Sequence, residues 1–108
     1  MKVSDICSNK DFKLLTKDFE DREISKPFCC DLLSIAMGKA PAGSCWVTVM
    51  ANANTLAVAT LTDVSCIVIA EGISFDDALI DKANEEDIIV FSTSLPVYDA
   101  AAIIGAGL

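Results

Sequence analysis

The sequence predicts an α/β domain: a mixed, mostly parallel sheet with helices on both faces. Three observations carry this. Short apolar runs, "CWVTVM" (Cys45–Met50), "CIVIA" (Cys66–Ala70) and "IIVFS" (Ile88–Ser92), recur along the C-terminal two-thirds. Segments of helical character separate them, which is the alternation of a sheet built through right-handed crossovers. The runs are continuously apolar rather than alternating, as expected of strands covered on both faces. Apolar residues make up 53% of the 108 residues. One domain of this length removes roughly 65% of its unfolded surface from water.

Element by element, "VSDICSN" reads as a short helix and "FKLLT" as a strand. "REISKPFCC" reads as a strand broken, or placed at a sheet edge, by Pro27. "DLLSIAMGK" reads as a helix from an Asp31 cap to Gly38. The turn Pro41-Ala42-Gly43 precedes the strand Cys45–Met50. Asn54 is the expected N-cap of a helix over about Thr55–Val64. Ser74-Phe75-Asp76-Asp77 resembles a capping box. The helix it opens carries Phe75, Ala78, Leu79 and Ala83 on one face and ends in Glu85-Glu86-Asp87. Thr93 or Ser94 is the expected cap of the last helix, with Pro96 in its first turn. No internal repeat, low-complexity segment or linker interrupts a single domain spanning 1–108.

The 23 residues from Ala40 to Thr62 carry no charge. A membrane span needs about 20 consecutive apolar residues held as one helix. Pro41, Gly43, Asn52 and Asn54 break this stretch, and its longest apolar run is the seven-residue "CWVTVMA". It reads as a buried strand, a polar bend and a helix start.

Composition excludes several functions. Acidic residues outnumber basic ones 16 to 8, a net charge of −8, and no Lys/Arg cluster offsets it, which argues against nucleic acid. No histidine is present, which removes His triads, His bases and His metal ligands. Cys7, Cys29, Cys30, Cys45 and Cys66 are odd in number and form no C-x-x-C. They read as structural thiols of a reducing, cytoplasmic compartment. No N-terminal signal peptide is visible. No metal, cofactor or catalytic group is expected.

The order of motifs resembles the DRTGG domain in its small stand-alone bacterial form. The matching features are D-L-L-S before an M-x-x-A segment, the G-x-x-W-[VI]-T strand and N-x-x-A-V-A-[ST]-L. The I-V-I-A-E-G turn and the S-T-x-L-x-x-[YF] opening of the last helix also match, as do K-V-S-D-I and D-R-E-I-S nearer the start. No single motif is chemically specific; their order and spacing together are. The resemblance implies a fold like the N-terminal domain of HPr kinase/phosphorylase, related also to an N-terminal domain of Mur ligases. It implies a regulatory or dimer-forming module without a demonstrated catalytic centre. Relatives are fused to CBS-domain pairs in some pyrophosphatases, occur within some phosphotransacetylases, or stand alone in anaerobic bacteria near genes for iron hydrogenases or histidine kinases. The chain departs from the pattern twice. Asp21-Arg22 is followed by Glu23-Ile24-Ser25 instead of completing the signature, and Met50-Ala51-Asn52 stands where relatives often carry a Gln-Thr-His-type stretch.

The reading that follows is a non-catalytic, homodimeric module that senses a small anionic ligand such as a nucleotide and acts on a partner enzyme or kinase. Ligands bind open α/β sheets outside the strand carboxyl ends. That places Asn52 and Asn54, and Ser92, Thr93 and Ser94, as ligand-contact residues. Each also has a plainer role as a cap or turn residue. Asp21, Arg22, Tyr98, Ile103 and Ile104 are the candidate interface residues. For the apolar tail the core and the interface readings stand level; Asp21-Arg22 could be a salt-bridged turn or a contact across a dimer, with a solvated loop pair as the default. The rival functions are a small phosphotransfer enzyme and a redox protein using Cys29-Cys30. Against the first, the chain has no G-x-x-x-x-G-K-[ST] phosphate loop.

Overall fold

A computed structural model describes residues 1–108. In chain order the elements are α1 (Val3–Cys7), β1 (Lys13–Leu14), β2 (Pro27–Cys29), α2 (Leu33–Lys39) and β3 (Cys45–Thr48). They continue with α3 (Ala53–Thr62), β4 (Cys66–Ile69), α4 (Asp77–Glu85), β5 (Val90–Ser92) and α5 (Val97–Ala106). The five strands form one sheet in the order β1-β5-β4-β3-β2. β2 to β5 are parallel, and β1 closes the far edge antiparallel to β5.

The pleat sorts the core into two layers. Cys45 and Val47 of β3, Cys66 and Val68 of β4 and Phe91 of β5 face α1 and α5, where Val3, Ile6, Ala100 and Ile104 meet them. Trp46, Ile67, Ile69 and Val90 face the opposite way, against Ala36 of α2, Leu56 and Ala59 of α3 and Ala83 of α4. β3 and β4 are buried at every position, which is why their sequences do not alternate. The crossover helices α2, α3 and α4 share one face, as strands added successively with one hand require. The predicted mixed sheet with helices on both faces is the observed one, and no helix is long and apolar enough to cross a membrane.

Pro27 opens β2 at the sheet edge, where its missing N–H leaves no ladder bond unmade. The strand expected over "REISKPFCC" shrinks to these three residues, and that over "FKLLT" to two. "IIVFS" is extended only from Val90. Several expected caps are corrected. Asn52, not Asn54, caps α3: its side-chain oxygen accepts from Thr55 N–H at 3.0 Å. Asp76, not Ser74, caps α4, accepting from Leu79 N–H at 2.9 Å. Phe75 therefore lies before that helix, buried beneath it. α2 has Leu32 at its N-cap and no side-chain cap, because the Asp31 carboxylate is drawn to β3.

Candidate functional site

Loops leaving β3 and β4 lead to helices on one face of the sheet, whereas the loop leaving β5 leads to α5 on the other. The loops therefore diverge between β4 and β5, the place where open α/β sheets hold ligands. In this chain the divergence is bridged internally. Glu71 N–H donates to Leu95 C=O at 2.9 Å and Gly72 N–H to Thr93 C=O at 3.0 Å. Glu71 (φ 63°) and Gly72 (φ 69°) both adopt the left-handed conformation, which glycine takes freely and glutamate at a cost of about 1–2 kcal/mol. The turn brings the Glu71 carboxylate to Val97 N–H at 2.9 Å. A negative side chain from a distant loop thus caps the N-terminus of α5, the end its helix dipole makes positive. Thr93 and Ser94 do not cap it; the Thr93 hydroxyl instead accepts from Leu95 N–H at 3.1 Å.

A second carboxylate serves the end of β3. Asp31 accepts from the buried Thr48 hydroxyl at 2.7 Å and from Val49 N–H at 3.0 Å. Thr48 Oγ1 in turn accepts from Met50 N–H at 3.2 Å. The polar bend at Met50–Asn52 is therefore held by Asp31 through Thr48 and by the Asn52 cap. Asn54, Ser92 and Ser94 make no side-chain hydrogen bond within the chain. Thr48, Ile69 and Ser92 are register partners across three strands. Strand spacing near 4.8 Å sets the β3 and β5 ends about 10 Å apart. Lys13 lies opposite Ser92 in the β1–β5 pair, which places an exposed lysine at this end of the sheet.

The concavities of the molecule lie elsewhere, and none of the five predicted ligand residues lines them. A groove of about 630 Å³ opens at the amino ends of β4 and β5, between the 17–22 segment and the last turns of α3 and α4. Asp18, Glu20, Asp63, Glu86 and Asp87 line it against Lys17 and Arg22. Both cations are already paired, Lys17 with Asp87 at 3.0 Å and Arg22 with Asp63 at 3.1 Å. The groove is anionic and disfavours an anionic ligand. Sequence reasoning missed it because its walls come from three segments far apart in the chain.

Asp21 and Arg22, side by side in sequence, point to different helices. The Asp21 carboxylate accepts from Ser4 N–H and from the Ser4 hydroxyl in the first turn of α1. Those two hydrogen bonds hold its pKa below the ordinary aspartate value. Arg22 donates to the carboxylate and to the C=O of Asp63, the left-handed residue ending α3. Asp21 thus meets a helix N-terminus and Arg22 a helix C-terminus, the charge placement each dipole favours. Of the other predicted interface residues, Tyr98 is 79% exposed and Ile103 half-buried. Ile104 is corrected: it is fully buried with Val47 and Phe91, since its position on α5 faces the sheet, and it presents nothing to a partner.

All five cysteines are free thiols. Cys45 and Cys66 are register partners in the core. Contact with Cys66 and burial push the Cys45 thiol pKa well above the ordinary value, and burial also raises Cys7 and Cys29. A raised pKa keeps thiols protonated and poorly nucleophilic. Cys29 is exposed and Cys30 half-buried, and the Cys30 C=O accepts from Trp46 Nε1 at 3.0 Å. No three metal-ligating side chains come together.

No protein-family model and no curated protein matches the chain in sequence. Among solved structures, its fold is similar to that of the CBS and DRTGG domains of the regulatory region of Clostridium perfringens pyrophosphatase, complexed with its activator diadenosine tetraphosphate. The TM-score is 0.71 at 14% identity, over 94% of this chain and 45% of the other. The chain thus spans less than half the length of that neighbour, and the likeness is one of fold: this α/β domain is built like part of a CBS/DRTGG regulatory region.

Proposed function

We propose that this chain is a non-catalytic regulatory module of the DRTGG type. In this reading it pairs as a homodimer, senses a small anionic ligand such as a nucleotide, and passes the signal to a partner enzyme or signalling protein in the cytoplasm. The observation that carries it is the fold likeness over 94% of the chain to a region described as regulatory. The order of the sequence motifs supports the same family. The nucleotide is suggested by that neighbour's activator, diadenosine tetraphosphate.

The ligand contacts in this proposal are the groups left free at the strand carboxyl ends. These are the Asn54 amide, the Ser92 and Ser94 hydroxyls and the Lys13 ammonium. They lie at the opposite end of the sheet from the anionic groove, beside the Asp31 and Glu71 carboxylates, which are already engaged by N–H and O–H donors of the chain.

Thermal unfolding with AMP, ADP, pyrophosphate and diadenosine tetraphosphate tests this. A ligand bound only by the folded state at 100 times its dissociation constant adds about 2.7 kcal/mol. At least one of the four raises the melting temperature of the wild type, and Lys13→Glu removes the rise. No shift with any of the four, or an unchanged shift in Lys13→Glu, contradicts the ligand assignment.

A further inference from the structure

We infer that Glu71 is an autoinhibitory latch on the ligand site proposed above: its carboxylate lies across the end of β5 and opposes an anion until it lets go of α5. This rests on the ligand reading and names its regulation. Ser92 and Ser94, the free hydroxyls of that site, lie at the end of β5 and in the loop that leads to Val97. Glu71 reaches the same loop from the end of β4. Its N–H donates to the C=O of Leu95, the residue after Ser94, and its carboxylate accepts from Val97 N–H at 2.9 Å. An oxyanion approaching Ser94 therefore meets a carboxylate fixed within a few residues of it, and like charges this close repel.

Other carboxylates share this end of the sheet. Asp31 is held by two donors, the Thr48 hydroxyl and Val49 N–H, and Asp76 caps its own helix α4. Asp77 and Asp99 stand in the first turns of α4 and α5. Glu71 is the one that spans the divergence between the β4 and β5 loops.

Its backbone cannot follow its side chain. Gly72 N–H is bonded to Thr93 C=O beside the Glu71–Leu95 bond, and the left-handed φ of both residues fixes where the Glu71 side chain starts. That side chain is exposed and has one hydrogen bond. Release breaks a single contact and leaves the fold in place. It also bares the first turn of α5, where Pro96 stands at the N-cap and supplies no side-chain cap. A plain cap needs no charge, as the Asn52 amide shows on α3. The charge is what makes Glu71 a barrier to an anion. A ligand that binds only the released state has its apparent affinity reduced by the fraction released.

Calorimetric titration of the full chain with pyrophosphate and with diadenosine tetraphosphate, at low and at physiological salt, tests the latch in wild type, Glu71→Gln and Asp99→Asn. Gln keeps the side-chain length and an oxygen for Val97 N–H while removing the charge, and circular dichroism checks that each variant folds. Glu71→Gln binds at least one of the two probes about fivefold or more tightly than the wild type. The gain shrinks as salt rises, because screening weakens the repulsion it removes. Asp99→Asn, which removes a charge from the same helix start without spanning the loops, gains little. Equal affinity in wild type and Glu71→Gln overturns the latch while the ligand reading stands. A gain of the same size in Asp99→Asn overturns it in favour of general relief of charge, and a gain indifferent to salt overturns repulsion as its cause. No binding of either probe by either protein overturns the ligand reading and the latch together.

Discussion

Replacing Thr48 by Val tests whether Asp31, acting through Thr48, holds the strand-end bend. The side chains are nearly equal in volume, so packing against Trp46 and its neighbours is kept. What goes is a fully buried hydroxyl that donates to the Asp31 carboxylate at 2.7 Å and accepts from Met50 N–H at 3.2 Å. A hydrogen bond to a charged group contributes about 1.5–3 kcal/mol. The added methyl returns less than about 1 kcal/mol of burial. The net loss is about 2 kcal/mol, a fall in melting temperature of about 8 °C for a domain of this size. Urea unfolding followed by fluorescence reads it directly, because Trp46 is the only tryptophan and is fully buried. The midpoint falls and the slope stays constant. In an Asp31→Asn background the same substitution costs visibly less, since the two side chains share one bond. A loss below about 0.5 kcal/mol, or equal losses in both backgrounds, refutes the reasoning.

Other predictions follow from the same geometry. Asn52→Ala removes the cap of α3 and costs about 1 kcal/mol in urea unfolding, whereas Asn54→Ala, exposed and unbonded, stays within about 0.5 kcal/mol. The lowered Asp21 pKa stabilises the fold above the ordinary aspartate value of about 3.9, and that stability drains away as pH falls through the folded pKa. Asp21→Asn therefore flattens the acid limb of the unfolding midpoint against pH; an unchanged limb contradicts the Ser4 contact. With a thiol reagent such as DTNB, exposed Cys7 and Cys29 react in the folded protein while Cys45 and Cys66 wait for unfolding. The raised Cys45 pKa stabilises the fold below the ordinary thiol value of about 8.5, and that contribution is lost as pH rises toward the folded pKa. Cys45→Ser shows less of that alkaline loss.

The sheet was legible in the sequence because burial on both faces leaves an unmistakable trace: Cys45–Thr48 and Cys66–Ile69 have no polar alternation to confuse them with surface strands. Pro27 marked its edge for an equally local reason, a missing donor. The caps were less legible. A local rule chooses among nearby Ser, Asp and Asn, and it missed by two residues at Asn52 and Asp76. It had no access to Glu71, which caps α5 from 26 residues away, or to Asp21, which reaches α1 from 17. Ile104 was ambiguous because an apolar helix tail looks the same whether a sheet or a partner covers it. The anionic groove depends on residues 17–22, 59–65 and 86–89 meeting in space, which no local pattern encodes.

In the function proposed above, a small ligand biases the pairing of this module. Sedimentation across a concentration series, with and without the nucleotide that raises the melting temperature most, tests it directly. Linkage requires a ligand that distinguishes paired from unpaired chains to change the dimer dissociation constant by the factor by which it prefers one state. The expected result is a mass moving between 11.5 kDa and twice that value over a concentration range displaced by the nucleotide, by about fivefold or more. Superimposable curves at saturating nucleotide contradict it.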